Sequence, residues 1–419
     1  AACGGGGGGG NSPGSNPPGG NNNPPGGNNN PPGGGNPTTI TVVVTGGGSP
    51  QLAYRVEEEA WQTLSGNSFQ LPAGKERYSV ALYCPGSAPT NRLEVVEATR
   101  ALDRVVLDCP GSGTPGPSAS FTVELDLSAV RLAWGLSDTD SVTLFHRGGA
   151  TPPSPLGSGS TVTVGPFSAP EGEGPFVAVI TNSDGRTRVA KRFTARVTDG
   201  GSATVTFNPS DRLPAHTVST SGLPAGYSYN NNGLVLYLEE GLFALLGAGE
   251  YRGVAGGSGR YAAGSEASTS TARGYRRVSR LKVLANPAEV SLSLPQPFSA
   301  TLRTDGAPHP EVEGLSYGDG NLRYFELNYS AYPLVYRARV YRERLSGGRY
   351  RLPDLTGLFG YTPPGSGLSA SLGVRAVLAS EGIGYSLENS NLPLPPAGLE
   401  LGVVEASAGY TVGSPADLE

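Results

Sequence analysis

From residue 38 to the carboxyl end, Gly, Pro, Asn or Asp interrupts the chain every few residues, and the runs between them are short and alternating or β-branched. Such punctuation leaves no room for long helices and is the pattern of antiparallel sheets. Runs at 39–45, 78–83, 121–127, 141–145, 176–181, 203–207, 290–294, 324–328 and 335–341 read as strands. One stretch, 238–246, reads as a short helix, with Glu239 and Glu240 in its first turn and Gly247 as its C-cap. With 64 Gly and 37 Pro among 419 residues, the expected fold is all-β: tandem antiparallel β-sandwich domains after a disordered Gly/Pro/Asn-rich tether.

The tether is the amino-terminal low-complexity segment. Residues 1–36 hold 15 Gly, 7 Pro and 9 Asn and no charge, so they cannot bury a core. A seven-residue unit, Asn21 to Gly27, repeats from Asn28 to Gly34 and alternates stiff Pro pairs with free Gly pairs, as a spacer does. Ala1-Ala2-Cys3 before a Gly run resembles the end of a bacterial lipobox. That resemblance implies an exported lipoprotein, diacylated at Cys3 and held at the outer membrane or cell surface. No window approaches the length of apolar chain that a membrane-spanning helix needs.

The expected organisation is the anchor and tether in 1–37, one β-sandwich module in 38–111, a second in 118–210, and a larger β-rich region in 211–419 that divides into two sandwiches near Pro287. Laying the first module over the second aligns Ile40 to Val44 with Phe121 to Leu125, and Phe69 and Pro72 with Phe167 and Pro170. The alternation places Phe69, Val80, Leu82 and Val106 in one core, and Phe167, Phe176, Val179 and Phe207 in the other. The string Phe69-Gln70-Leu71-Pro72-Ala73-Gly74, followed by Tyr78-Ser79-Val80, resembles the strand-turn-strand signature of carboxypeptidase-regulatory-like, or prealbumin-like, domains. Cys84 and Cys109 close adjacent strand candidates of the first module, and in an exported protein they are expected to pair as a disulfide.

Catalytic and metal chemistry find few residues to use. Gly314-Leu315-Ser316-Tyr317-Gly318 matches a nucleophile-elbow string, but a strand rather than a helix follows, and the last His, His309, precedes Ser316. His146, His216 and His309 stand singly, away from any Cys or His at ligand spacing. Gly247-Ala248-Gly249 lacks the elements of a phosphate loop, and Asn182-Ser183-Asp184-Gly185 reads as a hairpin turn rather than a calcium loop. No catalytic residue, metal or cofactor is therefore expected.

One charge feature stands out. Residues 273–351 carry 13 Lys or Arg against 7 Asp or Glu, although the whole chain has a net charge of −5, which gives no general attraction to nucleic acid. Tyrosines interleave with the arginines in Arg273-Gly274-Tyr275-Arg276-Arg277 and in Tyr336-Arg337-Ala338-Arg339-Val340-Tyr341-Arg342. Cations beside aromatic faces suit sugar stacking and contacts to sulfate, phosphate or carboxylate groups, so these residues form the candidate surface for a polysaccharide or polyanion. The functional expectation is a noncatalytic, lipid-anchored structural or adhesive binding protein that projects a rod of domains. Two alternatives stay open: a filament subunit that pairs its 39–45 strand with a neighbouring copy, and a noncatalytic partner of a cell-wall or polysaccharide enzyme.

Overall fold

The computed structural model describes residues 36–418 apart from 86–90, 111–115, 346 and 381–393, so Cys3 and the tether lie outside the described residues. The fold is all-β. Apart from single turns at Arg131–Trp134 and Thr356–Phe359 and two 3₁₀ turns, the regular structure is strand.

One strand plan recurs. Thr38–Thr45 lies between Ser68–Leu71, antiparallel to it, and Arg104–Asp108, parallel to it. Ser118–Asp126 sits in the same way between Thr161–Pro170 and Gly201–Thr206. Ala215–Ser221 repeats the arrangement between Glu250–Arg252 and Val290–Ser293. This third copy escapes the sequence comparison because its strands are joined by different loops. Val290–Ser293 closes it, and the Leu294 N–H bonds back to the Ser221 carbonyl. A fourth small sheet orders Arg349–Arg351, Glu311–Glu313, Leu302–Thr304 and Ala416–Leu418, all antiparallel.

The larger sheets of three sandwiches are not separate. Twelve strands form one continuous sheet, whose inner members run Gly274–Leu284, Glu400–Thr411, Ser369–Ala379, Leu322–Ala331, Leu334–Tyr341 and Asn91–Thr99. Two seams make it continuous. Leu334–Tyr341 pairs parallel with Asn91–Thr99 of the first sandwich, and Glu400–Thr411 pairs antiparallel with Gly274–Leu284 of the third. The second sandwich joins by a short parallel pairing of Thr187–Val197 with Val254–Ala255. The tandem sandwiches are thus fused through their sheets, with the fourth between the first and the third.

Fusion means that several strands are buried on both faces. In Arg77–Cys84, Tyr78, Val80, Leu82 and Cys84 face the first core, while Ala81 and Tyr83 pack into the large core of the fourth sandwich. Tyr83 stacks on Phe359 at 5.4 Å between ring centroids. In Gly172–Thr181, Phe176, Ala178 and Ile180 fill the second core, whereas Val177 and Val179 face the third sandwich.

Several expectations need correction. Val179 belongs to the neighbouring core, and Val106 is half-buried on the opposite face from Val105 and Leu107, which supply the first core. Phe69, Val80 and Leu82, and Phe176 and Phe207, lie in the expected cores, with Phe167 packed at the edge of the second. The 238–246 helix is a hairpin of Ser228–Glu239 and Leu242–Ala248, turned by Gly241 at φ 72°. The 39–45 strand pairs with Ser68–Leu71 along its first half and with Arg104–Asp108 along its second, so neither of its sides is open over the whole length. Asn182 to Gly185 is a hairpin turn, with Asn182 N–H bonded to the Arg186 carbonyl. Cys84 and Cys109 form the disulfide, with Cα atoms 5.8 Å apart.

Candidate functional site

Alternate residues of a strand face opposite sides of its sheet. In the strands of the fourth sandwich one set is apolar and fills the core; the other carries polar residues in its middle rows, which line up across strands. One row of register partners runs Arg337, Asn328, Gly373, Ser407, Tyr275 over five adjacent strands. The next runs Arg339, Glu326, Arg375, Glu405, Arg277 and alternates cation with anion at every step. Directly opposed unlike charges stabilise a sheet by roughly 0.2–1 kcal/mol per pair, and in this ladder Glu405 is met by arginines from two sides. Arg375 lies 3.1 Å from Glu326 and 3.2 Å from Glu405, and Arg277 bonds Glu405 and lies 3.3 Å from Glu266.

Two carboxylates lock the seam with the first sandwich. Glu94 is wholly buried and receives Arg337 at 2.9 Å and Arg339 at 2.7 Å, with the Asp108 N–H at 3.3 Å. Burial by itself would raise the Glu94 carboxyl, but the Arg339 and Arg337 charges outweigh it and hold the group below the usual carboxylate range. Burial pulls the Arg339 guanidinium down, and the surrounding acidic groups, Glu94 foremost, more than reverse that. On the other face Glu97, 1% exposed, takes Arg344 at 2.6 Å, Arg55 at 3.2 Å and the Tyr350 hydroxyl at 3.1 Å.

The polar rows floor an open cleft of about 300 Å³. Arg92 and Arg337 line it beside the first sandwich, Arg375, Ser371 and Gly373 line its middle, and Glu405, Ser407 and Tyr275 its far end. Small side chains keep the middle low; a Cβ at Gly373 would come within 3.3 Å of a Glu405 carboxylate oxygen. Tyr275 is 38% exposed, and its hydroxyl donates to Glu405 at 2.9 Å, which fixes the ring at the rim.

The structure divides the candidate surface. Tyr275, Arg277 and Arg337 reach the cleft or its bordering ladder, and Arg339 lies behind it on Glu94. Tyr336 is buried and donates to the Pro353 carbonyl at 3.0 Å, while Arg276 lies on the opposite face near Tyr227. Tyr341 packs on Tyr324 at 5.2 Å, Arg342 pairs with Glu343 at 3.1 Å, and Arg273 is exposed at a turn. The excess of positive charge between residues 273 and 351 is therefore partly spent inside the protein, on Glu94, Glu97, Glu266 and Glu405 contributed from outside that stretch. Sequence reading missed Arg92, Glu94, Arg375, Glu405 and the serines. The signal lies in polar or small residues at alternate positions of otherwise apolar runs, as in Ser371, Gly373 and Arg375 between Leu372, Val374 and Ala376.

The other motifs take ordinary places. Ser316 is exposed in a loop. His309 hydrogen-bonds the Tyr361 hydroxyl at 2.8 Å, and burial lowers its pKa, as it does for His146. No group of His, Cys, Asp and Glu able to hold a metal occurs among the described residues.

No family model and no curated protein matches the sequence. Among solved structures, the chain is similar to the Bacillus anthracis TIE protein at 10% identity and a TM-score of 0.16, over 62% of this chain and 50% of that one. It thus spans half of that protein's length. It is also similar to the FN1-FN3 domains of chicken CNTN1, at 10% identity and a TM-score of 0.17, over 87% of this chain and 99% of that one.

Proposed function

We propose that this chain is a binding protein displayed on the outside of a bacterial cell, with the cleft across the twelve-stranded sheet as its binding surface. The observation that carries the reading is the cleft-lining row of Arg337, Asn328, Gly373, Ser407 and Tyr275, drawn from five strands of one sheet. Side chains placed on a hydrogen-bonded sheet and braced by a charge ladder lose little freedom when they meet a ligand, which favours affinity. In this reading the protein recognises its ligand without transforming it, and anchorage comes from acylation of Cys3. Supporting observations are the Cys84–Cys109 disulfide, which suits an oxidising compartment, and the Gly/Pro/Asn spacer after Cys3. No described helix is long and apolar enough to cross a membrane. Several acyl chains on one Cys would hold the protein durably, at about 0.8 kcal/mol per buried methylene.

Two measurements test this. Mass spectrometry of native protein should find Cys3 acylated and at the amino terminus, and protease added to intact cells should release the folded part. An unmodified Cys3 would remove the anchor, and complete protection in intact cells would remove surface display.

A further inference from the structure

We infer that the cleft takes an uncharged, hydroxyl-rich ligand, a short neutral oligosaccharide, rather than a polyanion; this rests on reading the cleft as the binding surface. The arginines that line it already face carboxylates: Arg337 faces Glu94, and Arg375 faces Glu326 and Glu405. Arg92 lies 4.0 Å from Asp108. A sulfate or uronate entering here would gain little net attraction and would meet Glu405 on the cleft wall.

A sugar hydroxyl meets no such conflict. It both donates and accepts, and the cleft offers both roles at neighbouring points. A guanidinium has five N–H donors, of which ion pairing uses only some, while Glu405 accepts and Asn328, Ser371 and Ser407 do either. The Tyr275 ring, held by its hydroxyl on Glu405, presents a partly exposed aromatic face at the end of this polar floor. Aromatic face beside hydroxyl partners matches the two surfaces of a pyranose, its C–H face and its hydroxyl edge. A volume of about 300 Å³ is at the small end for ligand clefts and admits roughly one or two such rings.

The test uses the full chain against a panel of uncharged oligosaccharides and their sulfated and uronate counterparts, at low and high salt. An uncharged member should bind with an affinity that changes less than about twofold with salt, in contrast to phosphate-type contacts. Ser371→Trp, at an exposed position, fills the cleft and should abolish binding, with Ser330→Trp, at another exposed position of the cleft lining, as a second blocking variant if the first does not fold. Tyr275→Ala should weaken binding about tenfold. Binding confined to charged members, steeply salt-dependent and lost in the blocking variant, would overturn the neutral ligand but keep the cleft as the binding surface. Binding that neither blocking variant alters, or no binding to any member, would overturn both.

Discussion

Replacing Glu94 with Gln tests whether the seam between the first and fourth sandwiches is held by buried charge. The substitution keeps the side chain's shape and removes the anion facing Arg337 and Arg339. Removing one partner of a buried ion pair costs about 3–5 kcal/mol, because the other charge is left uncompensated. Here the arginine side chains keep 23% and 15% of their surface in water, which relieves part of that penalty and sets the expectation near the lower bound, about 3 kcal/mol. At about 2 °C per kcal/mol for a long chain, Tm should fall by roughly 6 °C. The pH dependence has a definite sign. The folded-state pKa of Glu94 is lowered, so its stabilising contribution is complete above the ordinary value of 4.5 and is lost as pH falls through the folded value. Glu94→Gln should therefore lose most stability at neutral pH and little in acid, giving a flatter acid limb. Thermal melts across pH, with the exposed Glu343→Gln as control, make the measurement. A neutral-pH Tm for Glu94→Gln that matches the control would refute the reasoning.

Other outcomes follow from the same packing. Reducing Cys84–Cys109, which lie 25 residues apart, should destabilise the first sandwich by roughly 3.5 kcal/mol on the chain-entropy estimate, read as a lower midpoint in denaturant. Because the first and fourth sandwiches share a sheet, that loss should appear in their joint transition; independent melting of the two would contradict the fused sheet. Leu107→Ala should cost roughly 2–5 kcal/mol, and Val106→Ala about 1 kcal/mol or less, since only Leu107 faces the core; equal costs would reverse the strand's facing.

What could be read from the residues was local. The β-branched runs and the Asp184-Gly185 turn announce strands and a hairpin because period-two alternation and turn chemistry act over a few residues. The 238–246 segment misled because Leu238, Leu242, Leu245 and Leu246 also fit helical spacing, and only the turn at Gly241 separates the two readings. Val179 was assigned to the wrong core because Phe176 to Ile180 is apolar throughout, as a strand buried on both faces must be, so alternation carries no sign. The arginine stretch drew attention to part of the cleft for an incomplete reason. Its charge excess looked like a surface for polyanions, whereas several of its cations answer carboxylates elsewhere in the chain, and composition does not reveal such pairing.

The parallel seam also bears on how the molecule is made. Glu94 and Arg337 are 243 residues apart, so the edge of the first sandwich waits for a strand near the other end of the chain. While that strand is absent, Leu93, Val95 and Tyr83 have no core to enter on their second face, and Glu94 and Glu97 lack their distant arginines. Such long-range closure slows folding and prolongs the life of a sticky open edge. As the chain is synthesised from its amino end, the first sandwich emerges first and is finished last, and fragments ending before residue 334 would leave that edge bare.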